Sequence, residues 1–195
     1  MLLILLLFYV LFESSIAENG SDWPKICPDI ITRNRWNART AQAVEYALIP
    51  VKNVIIHHTV TEECKKEVNC TAIIQEIQNF HIDILEFPDI GYNFLIGGDG
   101  NIYEGAGWHK VGAHTRGYNS RSVGIAFIGN FSDKLPRSKS LKALKDFLQC
   151  GVELGEIDKE YNLYGARQVS PSPTLSPGSR LFSELKTWPH FTNTT

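Results

Sequence analysis

The stretch Lys52–Thr59, "KNVIIHHT", constrains the fold of this chain more than any other. Val54, Ile55 and Ile56 are consecutive and β-branched. A strand with one wet face would alternate apolar and polar residues, so this run fits a strand buried on both faces, inside a sheet that helices cover on both sides. It ends in two adjacent histidines, His57 and His58. Neighbouring strand residues point to opposite faces, so the pair would chelate one ion only if the strand end were distorted. Half of a zinc site, a ligand-reading edge and two packed side chains remain open readings.

The pattern after this strand alternates between helix and strand. "CTAIIQEIQNFHIDI" places Ile73, Ile74, Ile77 and Phe80 at helical spacing, with Thr71 or Asn69 as the cap and His81 near the C-terminal end. "YNFLIGGDGNIYEG" reads as two short strands around a Gly-Asp-Gly turn, and "SVGIAFIGNF" as another apolar strand. "SKSLKALKDFLQCGVELG" carries Leu141, Leu144, Leu148 and Val152 on one stripe of an amphipathic helix that Gly155 ends. "YNLYGARQV" reads as extended. A short last helix in "RLFSELKTW" starts after Pro177 and Gly178. No repeat is present, and the alternation predicts an α/β fold: one domain with a central mixed sheet and about three main helices.

Composition narrows the setting. A chain of 195 residues supports one substantial core. Residues 1–17, "MLLILLLFYVLFESSIA", read as a signal peptide, with an apolar core shorter than the roughly 20 residues that span a bilayer. Residues 18–26 form an arm, 27–191 the domain and 192–195 a tail. Four cysteines are an even set for the oxidising secretory route, and two disulfides are expected. Of three pairings, the short spacing favours Cys64–Cys70 as a local staple, which leaves Cys27–Cys150. Sequons at Asn19, Asn69, Asn130 and Asn193 offer glycan acceptors on that route. A net charge of −2 provides no basic field for nucleic acid, and no later run suits a membrane anchor.

Five segments in order carry a family resemblance: "VIIHHT", "IQNFHID", "DIGYNFLIGGDGNIYEGAGW", "GAHTRGYNSRSVGIAFIGNF" and "TLSPGSRLFSELKTWPHF". Together they resemble the peptidoglycan recognition proteins, relatives of phage-type zinc amidases, over nearly all of Cys27–Phe191. The resemblance implies a groove that binds the muramyl-peptide stem of peptidoglycan. In catalytic members it implies a zinc held by the first histidine of "HHT", a histidine in a "GHRQV"-like segment and a cysteine in a "TxCPG"-like segment. Here those positions are His57, Ala166 and Ser176. Alanine has no lone pair, and a serine hydroxyl is a far poorer zinc ligand than a thiolate. Without metal there is no activated water and no Lewis acid.

The resemblance therefore implies a binder without a cofactor. It carries groove roles onto His57, His58, His81, Tyr92, Trp108, His114 and Asn119, and onto Thr174 and Ser176 at the lost cysteine. Tyr92 matches a tyrosine that assists the amidases but does not replace the metal. Stem specificity is implied by Ala106, where members favouring diaminopimelate often carry arginine, and by Glu86 and Phe87, where such members carry Gly-Trp and lysine-favouring members Asn-Phe. An extra carboxylate would call for a bidentate arginine, and its absence leans toward lysine-type stems. The expected function is a secreted innate-immune receptor for peptidoglycan with an extracellular signalling protein as partner. The alternative is a residual hydrolase, either an amidase with replacement ligands or a peptidase built on Ser176. The latter needs a base and an oxyanion hole that the sequence does not display.

Overall fold

A computed structural model describes residues 27–193. The expected signal peptide, Asn19 and the arm lie outside them. The elements are β1 (Ile30–Ile31), β2 (Val51–His58), α1 (Glu67–Asp83), β3 (Phe94–Ile96), β4 (Ile102–Glu104) and β5 (Ser122–Phe127), followed by α2 (Ser138–Glu153), β6 (Ile157–Gly165), α3 (Ala166–Val169) and α4 (Ser179–Leu185). The expected mixed α/β architecture is present as one six-stranded sheet in the order β1-β4-β3-β5-β2-β6. Only β3 and β4 pair antiparallel, around the Gly-Asp-Gly turn.

β2 lies inside the sheet, parallel to β5 on one side and β6 on the other. This is why its apolar run is continuous. On one face Val54, Ile56, Ile125 and Phe127 meet Leu144, Phe147 and Leu148 of α2 and Leu181 and Leu185 of α4. Each such fully buried side chain contributes roughly 2 kcal/mol. On the other face Leu95, Tyr103 and Ala126 meet Ile74 of α1 and Trp36. The C-terminal ends of β2 and β5 share one edge, with His57 opposite Ala126 and His58 opposite Phe127. In open α/β sheets that edge is where ligands bind.

Both expected disulfides form, Cys27–Cys150 to α2 and Cys64–Cys70 across the start of α1. Several local expectations are corrected. The N-cap of α1 is Lys66 without a side-chain bond, so Thr71 and Asn69 lie inside the helix. Its buried side is Cys70, Ile74, Gln78, His81 and Ile82, whereas Ile73 and Ile77 are half-buried and Phe80 is exposed. The shift follows from Gln78, which turns inward because its amide bonds Arg39 and Asp89. "YNLYGARQV" is extended only to Gly165; Ala166–Val169 make a helical turn fixed by the Gln168 side chain accepting from the Gly165 N–H at 2.8 Å. The tail is tied down at its start, where the Thr192 N–H donates to the Leu163 carbonyl at 3.1 Å. Asn69, Asn130 and Asn193 are exposed.

Candidate functional site

The two histidines point to opposite faces, yet both reach one cavity because the strand stops beneath it. His57 faces Tyr92 and His114, with ring centroids 5.4 and 5.3 Å away. His58 turns to the α2 side, where its Nδ1 accepts from the Phe131 N–H at 3.2 Å. A cavity of roughly 360 Å³ opens over this strand end and is lined by His57, His58, Tyr92 and His114, with Ala166 and Ser176. Thr174 also lines it and orders the Ser176 loop by accepting from the Ser176 N–H at 3.1 Å.

The three positions that the resemblance aligns with zinc ligands, His57, Ala166 and Ser176, thus converge on one cavity. As a donor set they do not fit a zinc ion. Ala166 has no donor atom, and the Ser176 hydroxyl is occupied in accepting from the His58 main-chain N–H at 3.1 Å. Among the described residues no group of three His, Cys, Asp or Glu is placed to hold a metal. Nor does any imidazole hydrogen-bond Ser176 Oγ there, so the serine has no base.

His57 Nε2, His114 Nδ1 and Thr115 Oγ1 form a triangle with edges of 3.1 to 3.3 Å. Two tautomer sets satisfy it: the hydroxyl accepts from His57 Nε2–H and donates to His114 Nδ1, or accepts from His114 Nδ1–H and donates to His57 Nε2. In either case His114 Nε2 is buried and has no hydrogen-bond partner among the described residues. The His114 ring lies against β5 because position 124 is glycine; a Cβ there would sit 2.3 Å from the ring. Burial holds all these imidazoles neutral. It lowers His57 well below the ordinary histidine value, aided by His114 and His58, and takes His114 to about 3. It takes His58 to about 4, with Arg167 adding to the effect. Burial likewise raises the Tyr92 phenol to about 12. The floor is uncharged and rich in donors and acceptors, which suits amides, hydroxyls and carboxylates.

One further cavity extends this floor, and another lies beside the loop that carries His114. The first, of roughly 420 Å³, shares Thr59 and Tyr92 with the floor and runs along α1 past Ile73, Ile77, Phe80 and His81. The His81 Nδ1 accepts from the Gly91 N–H at 2.8 Å, and its ring meets Phe87 and Tyr92. Burial lowers its pKa, although Asp89 opposes this. The other, roughly 520 Å³, is lined by Ala106, Asn119, Lys110, Glu45 and Asp89. Asn119 Oδ1 accepts from the N–H groups of His114 and Thr115 at 3.1 and 2.7 Å, and so shapes the loop that carries the histidine.

Three sequence-derived positions fall elsewhere. Trp108 lies among the core aromatics, its ring centroid 4.6 Å from Phe94 and 4.7 Å from Phe147, because that apolar face accommodates its indole. It lines none of the three cavities. Glu86 is exposed in a left-handed turn, φ 56°, and Phe87 packs on His81; neither lines those cavities. Thr115 and Asn93 were not legible as site residues. Thr115 stands beside His114 in "GAHT", its only sequence signal. Asn93 clamps the loop under Ala106, donating to the Gly107 and Lys110 carbonyls while accepting from the Gly124 N–H.

Comparison with known proteins agrees with this geometry. Residues 47–179 match the N-acetylmuramoyl-L-alanine amidase family. Peptidoglycan-recognition protein 2 of Holotrichia diomphalia is 56% identical over 166 residues, covering 85% of this chain and 88% of that protein. Drosophila peptidoglycan recognition protein SA superposes with a TM-score of 0.83 at 47% identity, covering 87% of this chain and 97% of that one. Peptidoglycan recognition protein LE, solved with the diaminopimelic acid-type fragment tracheal cytotoxin, superposes at 0.82 with 46% identity, covering 84% and 96%. In sequence and in fold, this chain belongs to the peptidoglycan-recognition proteins of the N-acetylmuramoyl-L-alanine amidase family.

Proposed function

We propose that this protein is a secreted receptor that binds the muramyl-peptide stem of bacterial peptidoglycan without cleaving it. The observation that carries the reading is the cavity in which His57 keeps its place while Ala166 and Ser176 stand at the other two ligand positions. A neutral floor of imidazoles and hydroxyls remains, competent to hold an amide-rich ligand and without groups to activate water. The lack of any imidazole hydrogen-bonded to Ser176 Oγ among the described residues speaks against a serine peptidase. The apolar segment 1–17 and the complete pairing of the cysteines support an extracellular route, on which exposed Asn69, Asn130 and Asn193 are glycan acceptors. An extracellular signalling protein is the partner this role requires.

Lysine-type stems are the favoured ligand. No arginine lines the three cavities, and at Ala106 the wall is a methyl group, so a second carboxylate would find no bidentate partner there. The diaminopimelic acid-type ligand on a relative 46% identical makes the choice worth measuring directly. Purified protein is mixed with lysine-type and diaminopimelate-type muropeptides, with and without zinc; calorimetry reads binding and mass spectrometry reads cleavage. Binding with intact ligand, tighter for lysine stems, is expected. Loss of the stem peptide in the presence of zinc would return the protein to the amidases.

A further inference from the structure

We propose that Val60 and Leu175 are the apolar lips of the His57–Ser176 cavity and grip the methyl groups on either side of the amide that joins the muramyl lactyl group to the first alanine of the stem. This rests on the function proposed above. Among the described residues Val60 is the one β-branched side chain with a left-handed backbone, at φ 60°. β-Branched residues resist that conformation, which glycine or asparagine adopts readily. Packing inside the protein does not explain the valine, because its side chain is 61% exposed.

The backbone is imposed from outside the residue. The Val60 N–H donates to the Gly129 carbonyl at 3.0 Å, and the Thr59 N–H to the Phe127 carbonyl at 3.0 Å. The Thr59 hydroxyl in turn accepts from the Gly129 N–H at 3.0 Å and lies 2.7 Å from Thr61 Oγ1. A strained, exposed apolar residue over-determined by its surroundings points to a role outside folding. Leu175, on another loop, shares the exposure and the main-chain anchoring but not the left-handed backbone. It is 74% exposed, while its carbonyl is held by the Gly178 N–H and by the Arg167 guanidinium.

Both side chains line the same cavity as His57, Ala166 and Ser176. That cavity combines a polar, uncharged floor with an apolar rim. A ligand filling it pairs an amide with small apolar groups on both sides, the chemistry of an N-acetylmuramoyl-L-alanine unit, whose lactyl and alanine carbons each bear a methyl. The floor holds the amide and the rim holds the methyls.

The test uses the mature protein and two muropeptides that differ only in the first stem residue, L-alanine or glycine, measured by calorimetry alongside thermal unfolding. Wild type is expected to prefer the alanine ligand. Val60→Gly is expected to bind it about three- to tenfold more weakly, the scale of one or two lost methyl contacts, and to lose most of the preference. Its unfolding midpoint is expected to stay level or rise, since glycine relieves the left-handed strain. Val60→Asn keeps the turn and loses the lip, and Leu175→Ser removes the other; both are expected to weaken alanine-ligand binding. Unchanged affinity in these variants overturns the inference. So does equal weakening toward both ligands in Val60→Gly, or a lowered midpoint in Val60→Gly with full affinity in Val60→Asn, which would make Val60 structural only. Failure of wild type to bind either ligand would instead remove the proposed function, and this inference with it.

Discussion

Asp89→Ala is expected to destabilise the domain by about 3 to 5 kcal/mol, the range for removing one partner of a buried ion pair. Asp89 and Arg33 have side chains only 10% and 15% exposed. Asp89 Oδ1 accepts from the Ile90 N–H at 2.7 Å, from Gln78 Nε2 at 2.7 Å and from Arg33 Nη2 at 3.2 Å. Oδ2 lies 3.0 Å from Arg33 Nη1. The carboxylate joins the Arg33 segment, α1 and the wall of the cavity lined by Ala106 and Asn119. Its removal leaves the Arg33 charge without its carboxylate, although the guanidinium still donates to the Gly105 and Arg39 carbonyls, and leaves the Ile90 N–H without an acceptor, at roughly 1 to 3 kcal/mol for the N–H and more for the charge. Gln78 loses less, because its amide still bonds the Arg39 main chain at both ends. The control is Asp146→Ala. Its partner Lys142 is 75% exposed, so a loss below about 1 kcal/mol is expected. Urea unfolding measures both. With a slope of about 2 kcal/mol per molar, the Asp89→Ala midpoint falls by roughly 2 M while the slope holds. A loss no larger than that of Asp146→Ala would refute the claim that this buried pair organises the cavity wall.

Stability is also expected to fall on mild acidification. Burial lowers His58 to about 4 and His114 to about 3 from an ordinary 6.5, so the unfolded chain binds more protons between those values. The contribution is intact above pH 6.5, and by pH 5 each group has cost about 2 kcal/mol. Guanidinium midpoints at pH 7 and pH 5 check this, with His58→Gln expected to shrink the difference; a flat profile contradicts it. Separately, Ala166→His combined with Ser176→Cys is expected to bind about one zinc per chain, because the three positions share one cavity. Metal analysis after dialysis reads the ratio, and a double variant as zinc-free as wild type would mean that the positions do not converge as described.

Much of the fold was legible because a few segments allow one environment. A continuous β-branched run has no wet face, which placed β2 inside a covered sheet. Gly-Asp-Gly between short apolar runs dictated the β3–β4 hairpin. On α1 the helical spacing of Ile73, Ile77 and Phe80 leaves open which surface they face, since hydrophobicity does not distinguish a core from an apolar cavity wall, and the structure places them along a cavity. Trp108 is expected in the groove by motif, and the structure packs its ring against Phe94 and Phe147.

The sequence by itself determined the α/β class and the identities of His57, Ala166 and Ser176, and its cysteine spacing favoured the disulfide pairing that forms, because these depend on residue identity and on spacing along the chain. Tertiary structure decided what depends on distances between remote segments. It placed His57 beside His114 and Thr115, turned Gln78 inward to Asp89, and brought Val60 and Leu175 to one rim across 115 positions of sequence. Backbone strain at Val60 has the same origin, for it is imposed by hydrogen bonds from Gly129, which no local pattern around Val60 encodes.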